Sequence, residues 1–334
     1  MRVVCCGIGP IGAGVARLLL SRGFKVVGAV DLGPRKVGCD LGVVLGLRSR
    51  TGVRITADPA AIRRARADVA LITTSSRLPE AAPAIEAAVR AGADVISSCE
   101  ELAYPFARHP ALAARLDRLA RRHGVTILGA GVNPGFVMDF LPVCLGLVSS
   151  RIRRVAVTRV LDASRRRGSF QEKIGLGMRR AEFQRMRASG RMGHVGLLES
   201  LHLLAHGLGI ELRRTRSSLN PLIATRAHRL GARTVARGSL AGLAQRIVAI
   251  GARGERLSLD LRVGVGMPEE FDRVEIAGTP RISCILHGGL HGDRATEAIL
   301  VNLIPRVRAA RPGLLTMLDL PPGGLSPRTG SPGL

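Results

Sequence analysis

Tryptophan is absent from this chain, tyrosine occurs once, and aromatic residues make up 2% of its 334 positions. Single-stranded nucleic acid is held largely by bases stacking on aromatic rings, so that mode of binding is excluded. Lysine is scarce too, found only at Lys25, Lys36 and Lys173, and the formal net charge of +25 is therefore carried almost wholly by arginine. The arginines are scattered, with short clusters at 63–66, 121–122, 151–154 and 165–167, and no helix-turn-helix, zinc-finger or RNA-recognition pattern accompanies them. The charge reads as a solvated surface bias that draws anionic small molecules, with no nucleic-acid partner. The alternative of another class is a non-catalytic basic binding protein, whose affinity for nucleic acid would have to survive about 0.2 M salt.

Long apolar runs are missing. A bilayer-crossing helix needs roughly 18 apolar residues, whereas the most apolar stretch, 136–148, is broken by Asp139, Pro142 and Gly146. No membrane partner is expected. The first twenty residues resemble a leader peptide in hydropathy, but glycines at 7, 9, 12 and 14 interrupt the run in a pattern that points to a folded turn instead. Cysteine occurs six times, at 5, 6, 39, 99, 144 and 284, with no C-x-x-C or Cys/His ligand spacing. Neither a disulfide framework nor a metal site is suggested, and a reducing, cytoplasmic setting is expected.

What is present is a chain with 46% hydrophobic residues, enough for one large or two modest cores. Short β-branched runs alternate with longer Ala/Leu/Arg segments over the first 130 or so residues. The spacing predicts strands at 2–6, 25–31, 69–73, 94–98 and 126–128, and helices at 11–22, 79–91 and 111–123. Near-continuous apolar strands such as Val69-Ala-Leu-Ile72 fit a parallel sheet covered on both faces. An α/β fold with a doubly wound parallel sheet follows.

The first motif that carries chemistry is Gly7-Ile8-Gly9-Pro10-Ile11-Gly12, after the first strand and opening the first helix. The first glycine allows a tight turn, the second lets backbone approach a pyrophosphate, and the third lets helix and strand pack closely. The helix N-terminus, from Pro10 and Ile11 onward, stabilises phosphate charge. Asp31 ends the second strand about twenty residues further on, where an acid hydrogen-bonds the ribose hydroxyls of a dinucleotide. This is the Rossmann fingerprint. Asp31 favours NAD, while Arg35 and Lys36 are placed to meet the 2′-phosphate of NADP, so NAD is slightly ahead and dual use stays open.

Open parallel sheets bind ligands at the carboxyl ends of their strands. Thr73, Thr74 and Ser75 lie at one such end, where they either line the nicotinamide side of a cleft or cap the next helix. Glu100 and Glu101 lie at another, as catalytic acids or as helix-starting acids facing a positive dipole. Asn133 either orients a ligand or makes an Asn-Pro turn.

Several stretches resemble the 2,4-diaminopentanoate dehydrogenase and native amine dehydrogenase family: DLGPRKVGCDLG at 31–42, DVISSCEELAYP at 94–105, GAGVNPGF at 129–136 and RVLDAS at 159–164. The likeness continues through GHVG at 193–196 with Glu199-Ser200, GDRAT at 292–296, NLIP at 302–305 and PGLLTMLDLP at 312–321, and so spans nearly the whole chain. The wider relatives are the dihydrodipicolinate reductases. The resemblance implies a Rossmann domain over 1–136, an α+β substrate domain of mixed sheet over 137–290, a segment at 291–320 packing back on the first domain, and a homodimer. A loose tail is expected over 322–334 from its Pro, Gly and Ser content.

For chemistry the resemblance implies reversible, NAD(P)-dependent oxidative deamination of a primary amine or diamino acid to a ketone and ammonia. A carboxylate must take a proton from the bound ammonium, and the motif match gives Glu100 that role with Glu101 as second choice. Asn133 would orient nicotinamide or substrate, and Phe136, Arg159 and His194 would line the substrate pocket. Where a dihydrodipicolinate reductase shows a histidine-pair and lysine motif, this chain has Asp162-Ala-Ser-Arg-Arg-Arg-Gly-Ser-Phe170. That departure makes reduction of the dihydropicolinate ring the weaker alternative. Arg165, Arg166 and Arg167 are either a receptor for a substrate carboxylate or a solvated loop.

Overall fold

The computed structural model describes residues 1–164, 166, 168–190, 192–230 and 233–322. Arg165, Arg167 and the expected tail beyond 322 lie outside the described residues. The chain forms two compact units, Met1–Phe136 together with the segment from His291, and Val137–Leu290.

The first unit begins as alternating strands and helices: β1 (Arg2–Cys6), α1 (Pro10–Ser21), β2 (Lys25–Val30), α2 (Leu41–Val44), β3 (Ile55–Thr56), α3 (Ala60–Arg64), β4 (Val69–Ile72), α4 (Leu78–Arg90), β5 (Asp94–Ser97), α5 (Pro110–His123) and β6 (Thr126–Gly129). Every residue of β4, β5 and β6 is buried, as a strand covered on both faces requires. Helix α4 buries Leu78, Ala81, Ala82, Ile85, Ala88 and Val89, one stripe at helical spacing, against that sheet. Helix α5 ends at Gly124, which takes the left-handed conformation that a residue with Cβ resists, and carries Arg121, Arg122 and His123 in its last turn where the helix dipole favours cations.

The second unit contains α6 (Phe140–Gly146), β7 (Arg151–Asp162), α7 (Gly168–Lys173), α8 (Arg180–Ala188), α9 (Leu197–Gly207), β8 (Leu212–Ile223), β9 (His228–Leu230), β10 (Arg233–Val235), β11 (Leu240–Gly251), β12 (Arg256–Gly264), β13 (Phe271–Thr279) and β14 (Ile282–His287). Among the described residues its main sheet runs β14-β13-β7-β12-β11-β8, with β7 and β12 parallel and the other pairs antiparallel. Along β12, Leu257, Leu259, Leu261 and Val263 are buried while Arg256, Ser258, Asp260 and Arg262 alternate on the other side. Helices α6 and α9 cover the apolar face.

The chain then returns to the first unit with α10 (Gly292–Asn302), α11 (Ile304–Arg308) and β15 (Gly313–Leu315). β15 pairs in parallel with β6, and the completed sheet reads β15-β6-β5-β4-β1-β2-β3 among the described residues. Arg308 reaches the buried Asp94 carboxylate at 2.7 Å, and Asp117 of α5 accepts from the Leu314 amide at 2.9 Å. The expected doubly wound α/β fold with a second mixed-sheet domain is the observed one.

Candidate active site

The glycine turn follows β1 at the centre of the sheet, between β2 and β4. Gly7 has φ of +87°, and its amide donates to Val30 at 2.8 Å. A Cβ on Gly12 would run into the Gly7 carbonyl and lie 2.5 Å from the Thr73 hydroxyl, which itself donates to the Gly7 carbonyl at 2.7 Å. Gly7 and Gly12 are therefore demanded by the packing of the protein itself. Gly9 is different. Its φ of −72° suits any residue, and a Cβ there would meet no atom of the chain within 4 Å. It heads α1, where no side chain caps the helix and no acid occupies the first turn. A glycine that the fold does not need, at the start of an uncapped helix, fits close approach of a dinucleotide pyrophosphate. Pro10 is exposed and Ile11 half-buried in that first turn.

Asp31 is held on several sides. Its Oδ2 accepts from the Ile8 amide at 2.6 Å and from Lys36 Nζ at 2.8 Å, and its Oδ1 from the Gly33 amide at 2.7 Å. Burial alone would raise its pKa, but these donors outweigh that and hold the carboxyl below its ordinary range. Lys36 also donates to the Ile8 carbonyl at 2.9 Å, so it bridges the glycine turn to the acid, while Arg35 is exposed.

The hydroxyls after β4 serve the fold first. Ser75 Oγ donates to Glu80 at 2.5 Å and accepts from the Arg77 amide at 3.1 Å, opening α4, and Thr74 is exposed. After β5 the chain makes a 3₁₀ turn, Glu100–Leu102, in which the two candidate carboxylates part. Glu100 is half-buried at the head of the turn. Glu101 is 2% exposed, and its Oε2 accepts from the Leu78 amide and faces His109 Nε2, each at 2.8 Å. Glu101, expected as second choice for the base, is thus bound to the α4 N-terminus and to α5. Cys99 beside it is buried, which pushes its thiol up to about 12.

After β6, Asn133 is half-buried in a loop whose Gly135 lies against Gly131 and whose Val132 amide donates to Thr296 of α10 at 3.3 Å. Phe136, half-buried, is the last residue of the first unit before the crossing. The glycine turn, Thr73–Ser75, Glu100 and Asn133 thus follow the carboxyl ends of β1, β4, β5 and β6, all at one edge of one sheet.

In the second unit Arg159 departs from the expected pocket wall. It is 2% exposed, its Nη2 donates to the Leu290 carbonyl at 2.5 Å and its Nη1 lies 3.4 Å from Asp272 Oδ1. Asp272 accepts from the Leu290 amide at 2.8 Å. Burial lowers the Arg159 pKa and raises that of Asp272, and their mutual attraction opposes both shifts. His194 is half-buried, and Gln245 of β11 accepts from its amide at 2.6 Å. Asp272, Arg159, Leu261 and Gln245 are successive cross-strand partners, so they form one row on one face of the mixed sheet. Of the arginine cluster, Arg166 is described, and it pairs with Glu270 at 2.9 Å.

Three residues of this architecture escaped sequence reasoning: His109, Asp272 and Asp139, which caps α6 and accepts from Ser200 Oγ at 2.6 Å. An Asp before a hydrophobic helix is a readable cap signal for Asp139. The other two depend on contacts across the fold that no local pattern announces. Among the described residues no group of three or more His, Cys, Asp or Glu could hold a metal.

The sheet order, the glycine turn and the acid just after β2 define the class, a Rossmann-fold dehydrogenase with a second, mixed-sheet domain. Residues 136–325 match the 2,4-diaminopentanoate dehydrogenase C-terminal domain family. The chain is 32% identical to the 2,4-diaminopentanoate dehydrogenase of Acetoanaerobium sticklandii, over 96% of this chain and 93% of the relative. It is 26% identical to an amine dehydrogenase of Streptomyces virginiae, over 95% of each. The solved structure of an amine dehydrogenase from Mycobacterium smegmatis superposes with a TM-score of 0.89 at 28% identity, covering 98% of both chains. The chain belongs to the 2,4-diaminopentanoate dehydrogenase family.

Proposed function

We propose that the protein is an NAD(P)-dependent amine dehydrogenase, interconverting a primary amine or diamino acid with its ketone and ammonia. The observation that carries the reading is the position of Glu100, a half-buried carboxylate at the carboxyl end of β5, beside the strand that follows the sheet's switch point. When bound, the nicotinamide supplies the hydride acceptor, or the donor in the reverse direction. Gly9 and the first turn of α1 would hold the pyrophosphate, with Gly7 and Gly12 shaping the turn that brings it there, and Asp31 would hold the adenosine ribose. Asn133, Phe136, Arg159 and His194 are assigned to positioning of the substrate or its surroundings, Arg159 through its grip on Leu290.

Glu100 handles protons. An ammonium cannot release hydride from its α-carbon while the nitrogen is fully protonated, so the carboxylate first removes a proton. That proton passes to solvent, and the carboxylate then takes one from the water that adds to the iminium carbon and hands it to the nitrogen, so that the carbinolamine collapses to ketone and ammonia as its hydroxyl proton goes back to the carboxylate. Glu101 is left out of this cycle because its Oε2 is already engaged by two partners.

Cofactor choice turns on Lys36. Asp31 supports NAD, and a cation already stationed beside it supports acceptance of the NADP phosphate. The free cysteines support a reducing, cytoplasmic setting. The open face of the mixed sheet, where Arg256, Ser258, Asp260 and Arg262 alternate, supports homodimerisation through that sheet.

The deciding experiment follows NADH and NADPH consumption with a panel of ketones in concentrated ammonia, comparing the intact protein with Glu100→Ala and Glu101→Ala. Ammonia-dependent turnover that falls at least roughly a hundredfold in Glu100→Ala supports the assignment. Turnover of dihydrodipicolinate without ammonia would replace it with the reductase reading.

A further inference from the structure

We infer that the buried Glu101 and the half-buried His109 form a positioning pair that sets the orientation of Glu100. The inference rests on the reading of Glu100 as the base.

Glu101 sits immediately after Glu100 in the same 3₁₀ turn, and its side chain is 3% exposed. A buried carboxylate needs partners, and this one has a small fixed set. Oε2 meets the Leu78 amide and His109 Nε2 at 2.8 Å each, while Oε1 lies 3.9 Å from both Arg77 Nη1 and Arg108 Nε. An ionised carboxylate only accepts, so Nε2 of His109 carries the proton. The turn is thereby tied to the first amide of α4 on one side and to the residue preceding α5 on the other.

Two further contacts close the arrangement. The Glu101 amide donates to the Ser76 carbonyl at 3.2 Å, and the His109 amide to the Pro105 carbonyl at 2.8 Å. From β6, Gly129 leaves room for the turn to pack on the sheet, since a Cβ there would lie 2.5 Å from the Ala103 amide and the Leu102 carbonyl. The turn has little freedom to shift while the pair is intact. Without it, the turn would keep its backbone bonds and the buried Leu102 but lose the side-chain ties through Glu101 to α4 and α5.

The test uses the full-length protein and four variants beside Glu100→Gln: His109→Ala, His109→Gln, Glu101→Gln and the double variant His109→Ala/Glu101→Gln. His109 is half-exposed and can be removed without emptying a core position. For each, kcat, KM for ketone and ammonia, NADH dissociation constant and melting temperature are measured, with kinetics taken well below melting. The expected outcome is a roughly ten- to hundredfold fall in kcat for His109→Ala with NADH affinity unchanged. His109→Gln, which keeps a donor, and Glu101→Gln, which keeps the acceptor for the Leu78 amide, should hold most of the turnover. The double variant should fall no further than His109→Ala, as expected of two residues acting through one contact.

A His109→Ala protein with normal kcat and a lower melting temperature would overturn the inference and leave the pair a stabilising contact. Equal losses of kcat and NADH affinity would overturn it as well. Should Glu100→Gln retain its turnover, the reading of Glu100 falls and the pair's role falls with it. A dead Glu100→Gln beside an intact His109→Ala removes the pair alone.

Discussion

Gly9 and Gly12 stand three residues apart in one turn, yet their substitution should separate two properties. Gly12→Ala drives a methyl into the Gly7 carbonyl and the Thr73 hydroxyl, a clash that should destabilise by about 2 kcal/mol or more. Gly9→Ala meets open space at an ordinary φ, so its melting temperature should stay near that of the parent while affinity for NADH falls sharply. Thermal melts and fluorescence titration of both variants check this. Lys36→Ala should lower activity with NADPH more than with NADH, read from the ratio of kcat/KM values. Asp31 gives a pH signature. Its native pKa lies below the unfolded value of about 3.9, so its stabilising contribution is complete above that value and disappears as pH falls through the native one. The difference in melting temperature between the parent and Asp31→Asn should therefore shrink on acidification below about pH 4. The thiols behave likewise by environment. Burial pushes Cys5, Cys6 and Cys99 up to about 12, so alkylation of the native protein at neutral pH should label Cys39, Cys144 and Cys284 first, as peptide mass spectrometry would show.

At the scale of elements, what could be read locally depended on pattern strength. β1, β4, α4 and α5 carry apolar runs or stripes long enough to be read within a few residues of their observed ends, and the glycine turn followed from its place between strand and helix. Strand β8, Leu-Arg-Arg-Thr-Arg-Ser-Ser-Leu-Asn-Pro-Leu-Ile, has no apolar alternation and forms because β11 pairs with it along its whole length. Its exposed arginines suit an edge strand, whose unpaired backbone groups are protected by charge. β3 and β15 are two and three residues long, below the length at which periodicity exists. The site divides the same way. Glu100, Asp31 and Asn133 announced themselves by following strands, whereas the split between Glu100 and Glu101 needed His109, eight residues on, and the burial of Arg159 needed Asp272, brought opposite by strand pairing.

For the molecule as a whole, the charge of +25 predicts salt-sensitive, sequence-blind binding to polyanions. A duplex binding assay should show retention at low ionic strength and none by about 0.2 M salt. The returning segment has another consequence. β15, α10 and α11 complete the sheet and helical cover of a unit whose other strands precede residue 137, and Arg308 meets the buried Asp94 carboxylate. On the ribosome, then, the part of the protein made first is the part finished last. Its β6 edge stays open and Asp94 lacks its counter-charge until about 180 residues beyond β6 have been added. A fragment ending at 136 should be insoluble, while the same fragment joined by a short flexible linker to 291–322 should fold and bind NADH. Synthesis order and assembly order run in opposite directions in this chain, and nascent chains stalled midway would expose the cofactor unit's unfinished edge to chaperones rather than to solvent alone.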